Sequence, residues 1–200
     1  MTIEDQLEIR QLVENWAIWR DAGDWERFAT VWAPDGVMWA TWLQSDAQGF
    51  IEASRKGFDS GVNIMHFLGG HVSDVAGDHA IAQTKMEILQ RGVIHDVEVD
   101  VTCIGRFYDF LRKREGRWEL VRRRLAYEKD WMAPVIPGTP IPLDRDLLAS
   151  FPVGYRNLGY LQAQLGFPVK RDMPGTRGPE VEAMYAQGAA WLAGDEAPWD

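Results

Sequence analysis

The feature that most constrains this chain is a succession of four β-rich stretches, residues 63–75, 79–91, 93–111 and 117–130, rich in Val, Ile, Phe and Tyr. Ala76-Gly77-Asp78, Gly92 and Arg114-Glu115-Gly116 separate them, and such short turn-forming breaks predict consecutive antiparallel strands. Helical patterns fill the chain before them. Helices followed by a meander of long strands is the α+β pattern, in which helices pack on one face of a curved sheet. A strongly curved sheet wrapped on helices leaves a concave interior where a small molecule can sit.

The helical part reads in three pieces. Thr2 is placed to cap a helix with Asp5 three residues on, and Ile3, Leu7, Ile9, Leu12, Val13, Trp16 and Trp19 recur at helical spacing up to Gly23. Asp24 predicts the N-cap of a short second helix carrying Trp25, Phe28, Ala29 and Val31-Trp32, stopped by Pro34-Asp35-Gly36. Val37 to Trp42 is a short strand pattern, and Ser45 to Gly61 a third helix. Beyond Asp130 prolines and glycines break the pattern, yet Leu147-Leu148, Phe151, Tyr155, Leu158, Tyr160-Leu161 and Trp191 require burial, and residues 179–193 predict a last helix. The expected organisation is a domain over 1–132 and a Pro-rich extension over 133–200 that packs on the domain, covers its pocket or embraces a second subunit.

Charge and cysteine content narrow the function classes. Thirty acidic against 21 basic residues give a net charge of −9, a field that repels phosphate backbones and anionic lipid surfaces, so nucleic acid and membrane are not expected partners. Arg122-Arg123-Arg124 does not form one patch, because successive strand residues point to opposite faces. Cys103 is the single cysteine, which excludes an internal disulfide and multi-cysteine metal sites. No basic, apolar leader opens the sequence, and a cytoplasmic location is expected. No HxH or HExxH spacing points to a metal, and Gly69-Gly70 lacks the glycine and helix of a phosphate loop, so neither a metal nor a nucleotide cofactor is expected. Ten tryptophans supply material for a core and for an aromatic-lined pocket.

Four stretches, in order, carry a resemblance. They are Arg20-Asp21-Ala22-Gly23-Asp24 with Phe28 and Val31-Trp32; Pro34-Asp35-Gly36-Val37; Met65-His66-Phe67-Leu68-Gly69-Gly70 with Val75-Ala76-Gly77-Asp78-His79-Ala80; and Gly105 to Asp109 running to Gly116-Arg117-Trp118-Glu119-Leu120. Over roughly residues 3–132 the chain resembles the SnoaL-like branch of the nuclear transport factor 2-like superfamily. The resemblance implies a cone-shaped barrel of curved antiparallel sheet wrapped on the N-terminal helices, assembled as a homodimer or homotrimer. It also implies that Asp21, ending the first helix, pairs with His66 on the strand after the third, and that Trp32 takes the place of a large second-helix residue. Gly70 departs from the pattern, which often has a polar residue there.

A histidine whose second ring nitrogen is held by a carboxylate is fixed in one tautomer and made more basic, which suits proton abstraction in elimination or isomerisation. His66 is therefore the expected base and Asp21 its orienting partner; without the resemblance they would read as a core histidine and a helix-ending aspartate. Arg122 or Arg124 is a candidate for steadying oxyanion charge, and Tyr108 and Tyr127 are candidate acids, although surface pairing and packing are the commoner roles of such residues. Trp16, Trp19, Trp39, Trp42, Asp100 and Tyr127 are the candidate substrate contacts. By alternation His71 should face away from His66, His79 should be solvated in its turn, and His95 is a minor pocket candidate; Cys103 reads as a buried, inert thiol. The expected function is a cofactor-independent lyase or isomerase acting on a hydrophobic, aromatic small molecule. The alternatives are a carbon-carbon, deformylating lyase of lignin-derived diaryl compounds and a non-catalytic binding module.

Overall fold

Thr2 caps helix α1 (Ile3–Ala22): its hydroxyl accepts the Asp5 N–H at 3.1 Å, and the Asp5 carboxylate accepts the Thr2 N–H at 3.1 Å. The computed structural model describes residues 2–196; Met1 and residues 197–200, the outer ends of the two predicted segments, lie outside the described residues. Gly23, at φ 71°, ends α1 in the left-handed conformation that glycine adopts without a Cβ clash. The helix buries Ile9, Val13, Trp16, Ala17 and Arg20. Asp24 caps α2 (Trp25–Ala29), which is shorter than its sequence suggested. Val31-Trp32 does not continue it, because Trp32 already pairs with Leu120 and opens strand β1 (Trp32–Trp39). A β-branched and an aromatic residue just ahead of Pro34 favour extended backbone, and that local preference wins.

After β2 (Gln44–Asp46), Asp46 caps α3 (Ala47–Asp59) by accepting the Gly49 N–H at 2.7 Å. The meander then runs through β3 (Asn63–Ala76), β4 (His79–Ile94), β5 (Val97–Arg114) and β6 (Arg117–Pro134). The sheet order is β2-β1-β6-β5-β4-β3, antiparallel throughout except for the parallel β1–β6 pair. Since β2 and β3 are its two edges, the sheet curls without closing, and the cone is an open one rather than a barrel. The β4–β5 turn lies at His95 and Asp96, with φ of 49° and 61°, and not at Gly92. Gly92 sits within β4, where a side chain would meet Leu161.

Bulges decide which residues face inward. In β3, Gly69 and Gly70 stand opposite the one residue Lys85; in β6, Val121 and Glu128 are each extra residues against β5. An extra residue flips the side-chain alternation beyond it. His71 consequently faces the same concave side as His66, contrary to simple alternation, and its Nδ1 lies 2.8 Å from Thr84 Oγ1. His79 is not fully solvated either: it is half-buried, its ring packed edge-on against Trp191 at 4.3 Å.

The C-terminal segment completes both faces of the sheet. After α4 (Arg145–Ala149) and a short 3-10 turn (Val153–Tyr155), α5 (Arg156–Gln164) adds Leu158, Tyr160 and Leu161 to the concave core with Trp16, Phe28, Phe50 and Phe107. Asp130 of β6 caps α5 by accepting the Asn157 and Leu158 N–H groups at 2.5 and 2.8 Å. Helix α6 (Pro179–Leu192) covers the convex face, packing Val181, Met184 and Trp191 on Ile81, Tyr108, Phe110 and Val121. Among the described residues no helix is long and apolar enough to cross a membrane.

Candidate active site

Asp21 sits in the last turn of α1, and His66 on the concave face of β3 beside it. One carboxylate oxygen of Asp21 accepts the His66 backbone N–H at 2.5 Å and the other lies 2.9 Å from His66 Nδ1. Main chain and ring are gripped by the same group, which fixes the imidazole's orientation. With Nδ1 so engaged, Nε2 is the ring nitrogen left for the cavity that His66 lines. Burial holds the His66 pKa below its ordinary 6.5; Asp21 pulls it up, and the nearby Arg20 and Arg123 charges push it down again. Burial pushes Asp21 upward, but the His66 contacts and Arg20 outweigh it and keep the carboxylate below its usual range. Near neutral pH the pair is therefore a carboxylate and a neutral imidazole.

Two cavities meet here. The inner one, ≈ 30 Å³, is bounded near His66 by Trp16, Phe50, Phe107 and Tyr127. An outer vestibule of ≈ 420 Å³ lies between α3 and the segment after α5, against Phe58, Val62, Phe167 and Pro168. Arg20, Trp42, Ile64, Gln90 and Gln162 line both and form the throat between them. Of the tryptophans proposed as pocket lining, Trp16 and Trp42 do face this space.

Of the other predicted residues, Tyr127 alone lines this space. Trp19 borders a surface groove beside Leu7 and Trp118, outside the cone. Trp39 points to the convex side, with the Arg122, Arg124 and Lys170 cations 5.9, 5.0 and 5.6 Å from its ring. Tyr108 is buried under α6, where burial raises its pKa to about 12, and so it is not a cavity acid. Arg124 donates to Gln187 Oε1 on α6 at 2.7 Å, and Arg122 lies 5.9 Å from the Phe110 ring on the same convex side. Asp100 is exposed and held by Arg91 through two bonds of 2.7 Å. His95 bonds to the Tyr160 hydroxyl at 2.8 Å at the β4–β5 turn, away from the cavity. Tyr127 does line the cavity, its hydroxyl accepting the Thr41 N–H at 3.3 Å and its pKa pushed up by burial. The Cys103 thiol is likewise pushed up by burial.

The arginine of the triplet that faces the dyad side is Arg123, the middle one. The Val121 bulge turns it inward, where it stacks 3.8 Å from Phe107 and 4.2 Å from Trp16 and binds Asp109 through two bonds of 2.7 Å. Arg20 was also missed. Its position in the last turn of α1 reads as a favourable helix-end charge, yet it is buried, donating to Asp21 Oδ1 at 3.2 Å and to the Ile64 carbonyl at 3.3 Å. Gln90 and Gln162 carried no signal beyond being polar residues in apolar runs. Among the described residues no three His, Cys, Asp or Glu side chains gather as metal ligands.

An open, curled, largely antiparallel sheet wrapped on N-terminal helices is the nuclear transport factor 2-like class of fold. Within it, the chain belongs to the SnoaL-like domain family, whose model matches residues 1–124. It is similar to a PEP2-like protein of Fusarium vanettenii, 36% identical over 203 residues that cover 96% of this chain and 87% of that protein. Pea pathogenicity protein 2 of the same fungus is 34% identical with the same coverage. Among solved structures, a candidate scytalone dehydratase of Novosphingobium aromaticivorans superposes with a TM-score of 0.56 at 17% identity, covering 70% of this chain and 95% of that one. A hexachlorocyclohexane dehydrochlorinase, LinA type 2, gives 0.56 at 14% identity, covering 70% and 97%. At these identities the two structures show a shared fold; the fungal matches extend into the C-terminal segment as well.

Proposed function

We propose that this protein is a cofactor-independent lyase or isomerase of the dehydratase type, with His66 as general base and Asp21 holding it, acting on a small hydrophobic, aromatic molecule. The observation that carries the reading is the double grip of Asp21 on His66, which presents the second nitrogen of a neutral imidazole to an aromatic-lined cavity. A neutral, oriented imidazole is the form able to accept a proton from carbon. In a dehydration Nε2 takes the proton, the C–H electron pair becomes the double bond, and the C–O bond breaks as the imidazolium returns the proton to the departing hydroxyl. Arg20 and Arg123, which already depress the His66 pKa, are the positive groups beside any enolate charge that builds up. The dehydratase and dehydrochlorinase names among proteins of this fold support the reaction class.

The inner space holds little more than one small group, so the reacting edge of the substrate enters it while the body stays in the vestibule. The test is hydrogen exchange at carbon: 2-tetralone, a ring-fused ketone with acidic benzylic C–H bonds beside its carbonyl, incubated in D₂O with the protein and followed by mass spectrometry. Wild type should exchange faster than His66→Ala by about 10²- to 10⁴-fold, the usual contribution of a positioned base. Equal rates for the two proteins would remove the basis for the proposal.

A further inference from the structure

Four buried polar atoms with no hydrogen-bond partner in the protein converge on this one space: Trp16 Nε1, Arg20 Nε, Ser54 Oγ and Gln90 Oε1. Gln90 is only 2% exposed, on the concave face of β4 next to the apolar Met86 and Ile88. Nothing in the catalytic scheme uses it. A buried amide without a partner is costly, and a fold that only needed to fill this position would place Leu or Met there.

The pairing register locates the amide. Gln90 pairs with Ile64 and Ile88 with His66, so Gln90 is the diagonal cross-strand neighbour of the base, about 7–8 Å away. That position is the throat. Across it Thr41 Oγ1 donates to Gln162 Oε1 at 2.7 Å, leaving the Nε2 end of the second amide as its donor. Arg20 reaches the throat from α1 with Nε unspent.

The geometry points to Gln90 as the specificity-determining residue of this pocket, selecting substrates that carry a hydroxyl, or another group that both donates and accepts, about one aromatic ring away from the carbon deprotonated by His66. A carboxamide can accept a ligand O–H at Oε1 and donate from Nε2, so a hydroxyl satisfies it in either orientation. Arg20 Nε and the free end of Gln162 supply further donors for a neighbouring carbonyl or hydroxyl oxygen. The ring between the two positions passes Trp42 and Ile64, the apolar members of the throat. The substrate class is thus a hydroxylated aromatic, rather than a hydrocarbon or a halocarbon. This rests on the reading of His66 as the base only for what happens after binding; the selection itself is a property of the throat.

The probes are 2-naphthol and 2-methylnaphthalene, a pair of matched shape that differs in the hydroxyl, titrated calorimetrically into wild type, Gln90→Leu and His66→Ala. Wild type should bind 2-naphthol at least about tenfold more tightly, the ratio expected of one hydrogen bond that would otherwise leave a buried group unpaired. Gln90→Leu should erase the preference and raise the melting temperature of the free protein, because an unpartnered amide has been replaced by an apolar group of similar size. Gln90→Met serves as a second replacement of the same kind should the branched side chain disturb packing. His66→Ala should keep the preference, so loss of exchange chemistry in that variant and loss of selection in the Gln90 variants separate the two readings. Equal affinities in wild type, no binding of either probe, or a preference that survives in both Gln90 variants would overturn the inference.

Discussion

At the scale of single residues, the dyad has a pH signature with a definite sign. His66 is depressed below its ordinary 6.5, chiefly by burial, so the unfolded chain takes up a proton there before the folded one does. Stability should be flat in this respect above pH 6.5 and decline as pH falls below it, and the acid limb of any reaction should also lie below 6.5. Urea titrations at stepped pH check this, and in His66→Gln that part of the decline should vanish. The pairing of Asp21 with His66 was legible through the family resemblance; by pattern alone the two read as a helix-ending aspartate and a core histidine. Arg123 was not legible, because alternation assigns the arginines of the triplet to faces by parity, and one extra residue at Val121 reverses the assignment. His71 was misplaced for the same reason, through Gly69-Gly70.

At the scale of elements, β5 and β6 are held together by the Arg123–Asp109 pair, fully buried on both sides. Removing one partner of such a pair leaves an uncompensated charge, and Asp109→Ala should cost about 3–5 kcal/mol in chemical denaturation. The double variant Asp109→Leu with Arg123→Met should recover most of that loss. Helix α5 depends on a remote cap: its own N-cap residue, Tyr155, supplies no side-chain bond, and Asp130 supplies three. Asp130→Ala should destabilise the protein by about 0.5–2 kcal/mol, with amide exchange rising first at residues 156–160. Helices α1, α2, α3 and α6 and the four long strands were readable from periodicity and turn residues, whereas α4 and α5 lie in the Pro- and Gly-broken stretch where only the need for burial was legible. The β4–β5 turn was not, since Gly92 looks like a turn glycine but serves the close approach of Leu161.

At the scale of the whole molecule, the C-terminal segment completes both the core and the pocket. It contributes Leu158, Tyr160 and Leu161 to the concave core, Gln162, Phe167 and Pro168 to the pocket, and α6 to the convex face. A chain ending at residue 134 would expose both clusters to water. It should lose the single cooperative thermal transition expected of the full chain, which scanning calorimetry would register. The sequence showed that these apolar residues need burial, but where they pack is a long-range matter that local patterning does not encode. The proposed chemistry depends on the state of one imidazole, and that state is measurable without knowing the substrate. A long-range ¹H–¹⁵N spectrum of ¹⁵N-histidine-labelled protein, followed from pH 8 to pH 5, should show His66 at pH 7 with its proton on Nδ1 and Nε2 bare, and titrating below 6.5. A proton on Nε2 at neutral pH, or a midpoint above 6.5, would contradict the assignment of His66 as a base poised by Asp21.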